Sequence, residues 1–517
     1  MNMPILSVLT FVPLCAFFVL LLLPAGSSKL HRTFSLCISL FVFAVSCFVL
    51  RDFLPNANAQ FAEHVPLIDK WGISYSVSID GISIFLVMLV TFLSPIVVLC
   101  SYKYITKNTR EYYSLLMLLE CGMIGTLVAA DAMLFYVFWE IMLIPMFFII
   151  GMWGGERRVY ATIKFVLFTL VGSLLLLVGL IYTAWKASNG GQISFAIADL
   201  HRVVLSTKEQ LWLFGAFSLA FAIKVPMFPL HTWLPDAHTE APTGGSVILA
   251  GVLLKMGVYG FLRFVFPILP EASHAFAPLM IVLSIIGIIY GALVAFVQTD
   301  IKKLVAYSSV SHLGYVMLGL FVFSIQGMQG GMCQMINHGL STGALFLIVG
   351  MLYERRHTRL MSEFGGLAKT VPLLAIVLMI SMLSSVGLPG LNGFIGELLI
   401  LLATFSASPL YAAFAASGVV LGAVYLFHLY QKIMFGPITK PENEKLPDLS
   451  IREAIIMIPI LALMMIMGLF PNPILRRTEP AMQKVLQQLA HQPESQVQSQ
   501  AMVRNGLPCM EGQHHDQ

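Results

Sequence analysis

At 517 residues the chain is long enough for several soluble domains, yet 58% of its residues are hydrophobic and only 11% are charged, under half the charged share of typical soluble domains. That excludes an ordinary soluble protein, and the net charge of +4 acquires meaning only when the cations are placed loop by loop. The cysteines at positions 15, 37, 47, 100, 121, 333 and 509 have no CxxC spacing and mostly sit inside apolar runs, so no disulfide framework, iron–sulfur cluster or zinc site is signalled.

A membrane-spanning helix needs about 20 largely apolar residues. Fourteen such stretches follow one another, near 4–24, 32–52, 81–101, 112–130, 132–152, 162–185, 211–230, 245–267, 275–297, 302–323, 330–353, 372–404, 409–432 and 453–471. The first lacks a preceding Lys or Arg and reads as a retained helix rather than a cleaved signal, despite Ala25-Gly26-Ser27. Longer connections fall at 53–80, 186–210 and 433–452, and a polar, Gln-rich tail from about 478 is expected to be partly disordered. The fold class is therefore an all-α integral membrane protein with about 14 transmembrane helices. The predicted divisions are an N-terminal three-helix region (1–111), a five-helix repeat (112–267), a second, inverted five-helix repeat (275–432), a last transmembrane helix within 433–477, and the tail 478–517.

Of the 30 Lys and Arg residues, 17 fall in connections after odd-numbered spans and 6 after even-numbered ones. The positive-inside rule then places the odd connections in the cytoplasm and both termini outside, with Arg476 and Arg477 a mild contrary sign. Lys164, Lys224 and Lys255 lie within spans, as do Glu120, Glu140 and Glu397. A mid-membrane charge costs about 2.5–3.5 kcal/mol on insertion scales and persists where it pairs, faces water or carries ions. A structural ion pair is the stronger competitor for Lys164 and Glu120, which lie nearer span ends or outside any motif.

Two spans are visibly interrupted. Pro226 and Pro229 follow Lys224 and are expected to free the carbonyls of Ala222 and Val225; Gly387, Pro389, Gly390 and Gly393 precede Glu397. Broken helices in corresponding positions point to a transport path. Spacing supports a duplication: Glu140 and His312, Lys164 and His338, Lys224 and Glu397, and Lys255 and His428 are separated by 172–174 residues. An odd number of helices per repeat inverts the second copy.

Several motifs occur in one order: Phe138-Trp139-Glu140 with Pro145; Lys224-Val225-Pro226 running into His231-Thr232-Trp233-Leu234-Pro235-Asp236-Ala237-His238; Lys255-Met256-Gly257; Asp300-Ile301-Lys302-Lys303 with Tyr307-Ser308-Ser309-Val310-Ser311-His312; and Gly387-Leu388-Pro389-Gly390 with Glu397. Over nearly the whole chain this resembles the antiporter-like subunits of respiratory complex I. Within that family it is most similar to the M-type branch, the counterpart of mitochondrial subunit 4, because Glu397 stands where other branches carry lysine and no long lateral helix follows the fourteenth span.

The resemblance implies a proton channel in the membrane arm of an NADH:quinone oxidoreductase, embedded in the lipid bilayer of the cell inner membrane. Its implied partners are the other membrane-arm subunits, two antiporter-like paralogues among them, and a peripheral redox arm, with no nucleic acid. NADH, FMN, iron–sulfur clusters and quinone would be bound by partner subunits and none by this chain, which has no dinucleotide fingerprint in a strand–turn–helix setting. The implied relay is Glu140, Lys224, Lys255, His312, His338 and Glu397, with Glu120, Lys164 and His428 as flanking positions on the path. His312 and His338 could in principle ligate a haem, but their charged and hydroxyl neighbours favour a proton wire. At about 7 Å and an effective dielectric of about 20, Glu140 would attract the Lys224 ammonium by roughly 2.4 kcal/mol, enough to control when it releases its proton. A subunit of a multi-subunit sodium/proton antiporter is the alternative, disfavoured by Glu397 and chain length. An inert scaffold is disfavoured by the intramembrane charges.

Overall fold

The computed structural model describes residues 4–188 and 191–490. Its membrane-spanning helices are α1 (Ile5–Leu22), α2 (Ser28–Asp52), α3 (Ile84–Tyr104), α4 (Thr109–Val128), α5 (Ala132–Trp153) and α6 (Arg158–Ala187). The seventh span is built from two pieces, α7 (Thr207–Lys224) and α8 (Trp233–Glu240). Next come α9 (Thr243–Ile268), α10 (Pro270–Phe296), α11 (Ile301–Phe321) and α12 (Ile325–Arg356). The twelfth span is again two pieces, α13 (Pro372–Val386) and α14 (Asn392–Ala407). It is followed by α15 (Pro409–Met434) and α16 (Ile451–Leu469). Twelve of these helices are individually long and apolar enough to cross a membrane; with the two composite spans, the fourteen expected crossings are present.

Burial separates the helices by role. The most apolar stretches of α9 and α12 are entirely enclosed by protein and that of α11 nearly so, whereas α1, α2, α6 and α15 leave most of theirs facing outward. In a bilayer, where lipid tails are as apolar as leucine, close helix approach depends on small residues. At the α9–α12 contact a Cβ on Gly339 would lie 2.9 Å from the Gly251 carbonyl, so bare glycines let these two central helices meet.

The breaks are locally repaired, and the repair differs from expectation in one place. At the first, the Ala222 carbonyl does not stay free: it accepts Met227 N–H at 2.9 Å, and the Trp233 indole donates to the Ile223 carbonyl at 2.9 Å. At the second, α13 closes with Gly387 in the left-handed region (φ 81°), Gly387 N–H donating to Ser384 and Leu388 N–H to Leu383. That is the Schellman arrangement, which glycine adopts without a Cβ penalty. A third loosened turn sits inside α5, where Met142 interrupts the helix one residue before Leu143 and Pro145 has no N–H to offer the Ile141 carbonyl. The α9 helix contains two π-helical turns, Leu249–Leu253 and Phe261–Val265, on either side of Lys255.

Two segments differ from the sequence reading. The connection at 53–80 contains an antiparallel hairpin, β1 (Gln60–Ile68) and β2 (Ile73–Ile79), turning at left-handed Gly72. It is stitched to the start of α5 by Asp131, whose carboxylate accepts Ser74 N–H at 3.1 Å while capping Met133 and Leu134. Residues 478–490 are helical rather than disordered, forming α17 (Asn472–Ala490) with Ile474, Thr478, Ala481, Met482, Val485 and Leu489 buried on one face. Residues 491–517 of the expected tail lie outside the described residues.

Candidate proton-relay site

The centre of the helix bundle holds a run of contacting polar side chains. Lys255, fully enclosed, donates from Nζ to the Ala250 carbonyl, within the π turn, and to His338 Nδ1 at 2.7 Å. The His338 ring lies 5.8 Å from the His312 ring, centroid to centroid. His312 Nδ1 meets Glu397 Oε1 at 3.0 Å, and its Nε2 meets the Tyr425 hydroxyl at 3.3 Å. These partners assign the tautomers: His338 accepts at Nδ1 from the lysine, and His312 donates at Nδ1 to the carboxylate. His338 Nε2 is buried without a partner. Four of the six expected relay residues therefore form one line that runs between α9, α12, α11 and α14.

The other two stand apart from that line. Lys224, buried at the end of α7, has its ammonium 5.0 Å from the centroid of the Trp139 ring, and Trp139 is held by its indole N–H on Ser173 at 3.1 Å. Glu140, the next residue, is half-buried with Oε1 unpartnered. No Glu140–Lys224 ion pair closer than 4.0 Å exists among the described residues, so any influence of one on the other acts through space rather than by direct contact. Between α7 and Lys255, Gly257 packs against the Phe221 carbonyl and Val225.

The three flanking candidates separate. Lys164 pairs with Asp236 on α8 at 2.7 Å, a partly exposed ion pair. Asp236 also lines a charged cavity of about 440 Å³ with Glu240, Asp300, Lys302, Lys303 and Arg359, on the side of the odd-numbered connections. Glu120 is completely buried with neither oxygen hydrogen-bonded, outside the line. His428 is not brought to the relay either: it is half-exposed and packs on Phe296 at 5.0 Å. One turn earlier on α15, Tyr425 makes the contact with His312.

A family model described as NADH:quinone oxidoreductase/Mrp antiporter, TM, matches residues 129–470. The chain belongs to the NADH:quinone oxidoreductase/Mrp antiporter transmembrane family. It is 43% identical over 482 residues to NADH-quinone oxidoreductase subunit M of Rickettsia typhi, covering 92% of this chain and 97% of that one. It is 40% identical to NADH-ubiquinone oxidoreductase chain 4 of Marchantia polymorpha, covering 93% and 97%. Among solved structures, a chain of respiratory complex I from Thermus thermophilus superposes with a TM-score of 0.84 at 33% identity, covering 93% of this chain and 99% of that one.

In this member of the NADH:quinone oxidoreductase/Mrp antiporter family the charged groups are held in place by neutral polar ones that carry no charge signal in the sequence. Gln334 donates to Glu397 Oε1 at 2.9 Å. Asn337 donates to the Asn392 carbonyl at 2.7 Å and Ser384 to Asn392 Oδ1 at 2.5 Å, clasping the second break. The i, i+3, i+4 spacing of Gln334, Asn337 and His338 was a readable signal for one polar stripe on α12. Asp236 belongs to the motif that runs on from Lys224, but only folding shows that its partner is Lys164.

Proposed function

We propose that this chain is a proton-translocating membrane-arm subunit of an NADH:quinone oxidoreductase and that Lys255, His338, His312 and Glu397 form the central segment of its proton route. The observation that carries the reading is the contact sequence from Lys255 Nζ through both imidazoles to Glu397 Oε1, in a bundle whose surroundings are apolar. Charges enclosed in a membrane protein at this density are costly unless they work.

The chemistry follows from the bonding. The Lys255 ammonium passes a proton to His338 Nδ1, and His338 Nε2 releases one on its far side, so charge crosses the ring without the ring leaving its place. Reaching His312 takes a ring rotation or one water between the two imidazoles. His312, momentarily an imidazolium, gives its Nδ1 proton to Glu397 Oε1 and returns to neutral. Lys224 loads this line from α7, with Glu140 biasing when it lets go. The domain divisions 112–267 and 275–432 as inverted half-channels, with breaks in the fourth helix of each, organise the route. NADH, FMN, iron–sulfur clusters and quinone belong to partner subunits, and two paralogues and the peripheral arm complete the complex. The chain lies in the inner membrane with both termini periplasmic.

The test compares Glu397→Ala with Glu397→Lys, measuring proton translocation and NADH:quinone activity in sealed vesicles with assembly checked on native gels. A relay role predicts that alanine abolishes coupled turnover while lysine, which also exchanges a proton, keeps a substantial part. A structural ion pair predicts the reverse, because lysine beside His312 leaves a buried repulsion. Lysine performing worse than alanine at equal assembly refutes the assignment.

A further inference from the structure

Glu397 Oε1 accepts two hydrogen bonds, from His312 Nδ1 at 3.0 Å and from Gln334 Nε2 at 2.9 Å. Gln334 is buried on α12, one turn before His338. Its own amide oxygen is enclosed and has no partner. The approach is close by construction: a Cβ on Gly396 would lie 2.6 Å from Gln334 Oε1 and 3.0 Å from its Cα, so the residue before Glu397 must be bare for α14 to reach the amide. On the other side of the carboxyl, a Cβ on Gly387 would lie 3.1 Å from Glu397 Oε2. The carboxyl is thus held between a glycine turn and an amide.

We propose that Gln334 is a positioning residue that keeps the Glu397 carboxyl in line with His312 and, by turning its amide over, bonds that carboxyl both when ionised and when protonated. The proposal rests on the reading of Glu397 as a relay group. A carboxylate only accepts hydrogen bonds, a neutral carboxyl also donates one, and a primary amide offers both kinds at its two ends. With Glu397 ionised, Nε2 donates to it. When the His312 imidazolium hands its Nδ1 proton to Glu397, imidazole and carboxyl both become neutral; a half-turn of the amide then presents Oε1 to the new O–H. The unpartnered oxygen of the ionised state is the acceptor kept ready for the neutral one. A side chain able only to donate would hold the proton off, and an apolar one would serve neither state.

The bond to the charged form is about twice as strong as the neutral one, so removing the amide favours the protonated carboxyl. Gln334→Met keeps length and volume while deleting donor and acceptor. In the intact, membrane-embedded complex, infrared difference spectra assign the Glu397 carboxyl band by its loss in Glu397→Gln. The expected result for Gln334→Met is a neutral C=O band at higher frequency and a neutral-to-ionised ratio raised roughly tenfold at fixed pH, with lowered coupled turnover. Gln334→His, which restores an N–H donor, should return the ratio part of the way. A band and ratio identical to wild type in Gln334→Met overturn the proposal, even if assembly or turnover falls. Should Gln334→Met not assemble, wild-type complex grown with ¹⁵N-glutamine decides: an amide band that moves as Glu397 titrates supports the turnover of the amide, and a still one refutes it. Because the band is read directly, the outcome stands apart from the Glu397→Ala result, which decides the relay reading on its own.

Discussion

A charge within a span that lacks an ion-pair partner is the most informative residue-scale feature of this protein, and Glu140 and Lys224 differ in how each is accommodated. Lys224 rests against the π face of Trp139 at 5.0 Å, a contact worth about 2 kcal/mol when desolvated. Glu140 sits half-buried beside the loosened turn at Met142, with one carboxylate oxygen unpartnered. Glu140→Gln keeps the shape and removes the charge, so assembly should be preserved while most proton pumping is lost, with Glu140→Asp in between. Normal pumping by an assembled Glu140→Gln in sealed vesicles would show that the through-space coupling is not used. Lys164 is the contrasting case. Its pair with Asp236 is partly exposed, and such pairs contribute about 0–1 kcal/mol, so Lys164 is held by a weak, hydrated contact where Lys224 is not.

At the scale of elements, two devices decide whether the site keeps its geometry. Gly387 closes α13 at φ 81° with its Cα facing Glu397. Gly387→Ala must hold a side chain in the left-handed region, which costs about 1–2 kcal/mol, and its methyl presses on Glu397 Oε2. The expected outcome is a modest fall in thermal stability of the complex with a disproportionate fall in pumping; a stability loss with pumping intact would separate the turn from the relay. The second device joins the start of α3 to the end of α9: Arg263 donates to Asp80 at 2.8 and 2.9 Å, and its carbonyl accepts His201 Nε2–H at 2.9 Å. Burial pushes the His201 imidazole down to about 4, although the Arg263 carbonyl bond works against it, so the ring is neutral in the folded chain. Burial raises the Asp80 carboxyl, but the Arg263 charge and the N–H groups of Ile82 and Ser83 outweigh it and hold it below the usual range. For both groups the unfolded chain binds more protons, so stability rises with pH and is lost as pH falls. The His201 share is complete above about 6.5 and lost as pH drops through about 4; the Asp80 share follows at still lower pH. His201→Gln, whose amide can donate to the same carbonyl without titrating, should flatten the loss of thermal stability between pH 6.5 and 4. An unchanged pH profile would remove His201 from the account.

For the whole molecule, the test is topological. The two broken spans are the seventh and twelfth crossings, and α17 packs along the same end as the β hairpin, a Cβ on Gly81 lying 2.5 Å from the Arg477 carbonyl. The positive-inside expectation of cytoplasmic odd connections puts hairpin and α17 together on the outer face. A membrane-impermeant thiol reagent added to intact spheroplasts should therefore label a cysteine introduced at the exposed Gln483 of α17, and labelling only from the cytoplasmic side would reverse the orientation.

Much of this was legible in the residue order because a bilayer admits few backbone solutions: a spanning segment must satisfy its hydrogen bonds internally. Apolar length therefore located fourteen crossings, proline and glycine located the breaks, and charges inside spans located Lys224, Lys255, Glu140 and Glu397. The hairpin at 60–79 and the helix at 478–490 lie outside the fourteen apolar crossings, where that constraint does not guide the reading; α17 nonetheless carries a helical spacing of buried residues that its polar composition obscured. What tertiary structure alone decided is which polar groups meet. The near-constant offset paired Lys255 with His428 and Lys164 with His338, whereas packing pairs Lys255 with His338 and Lys164 with Asp236. A repeat relates positions that are equivalent by duplication, but proton transfer needs atoms within hydrogen-bond reach. Those distances are set by side-chain direction on helices far apart in the chain, at close approaches such as Gly251–Gly339 and Gly396–Gln334.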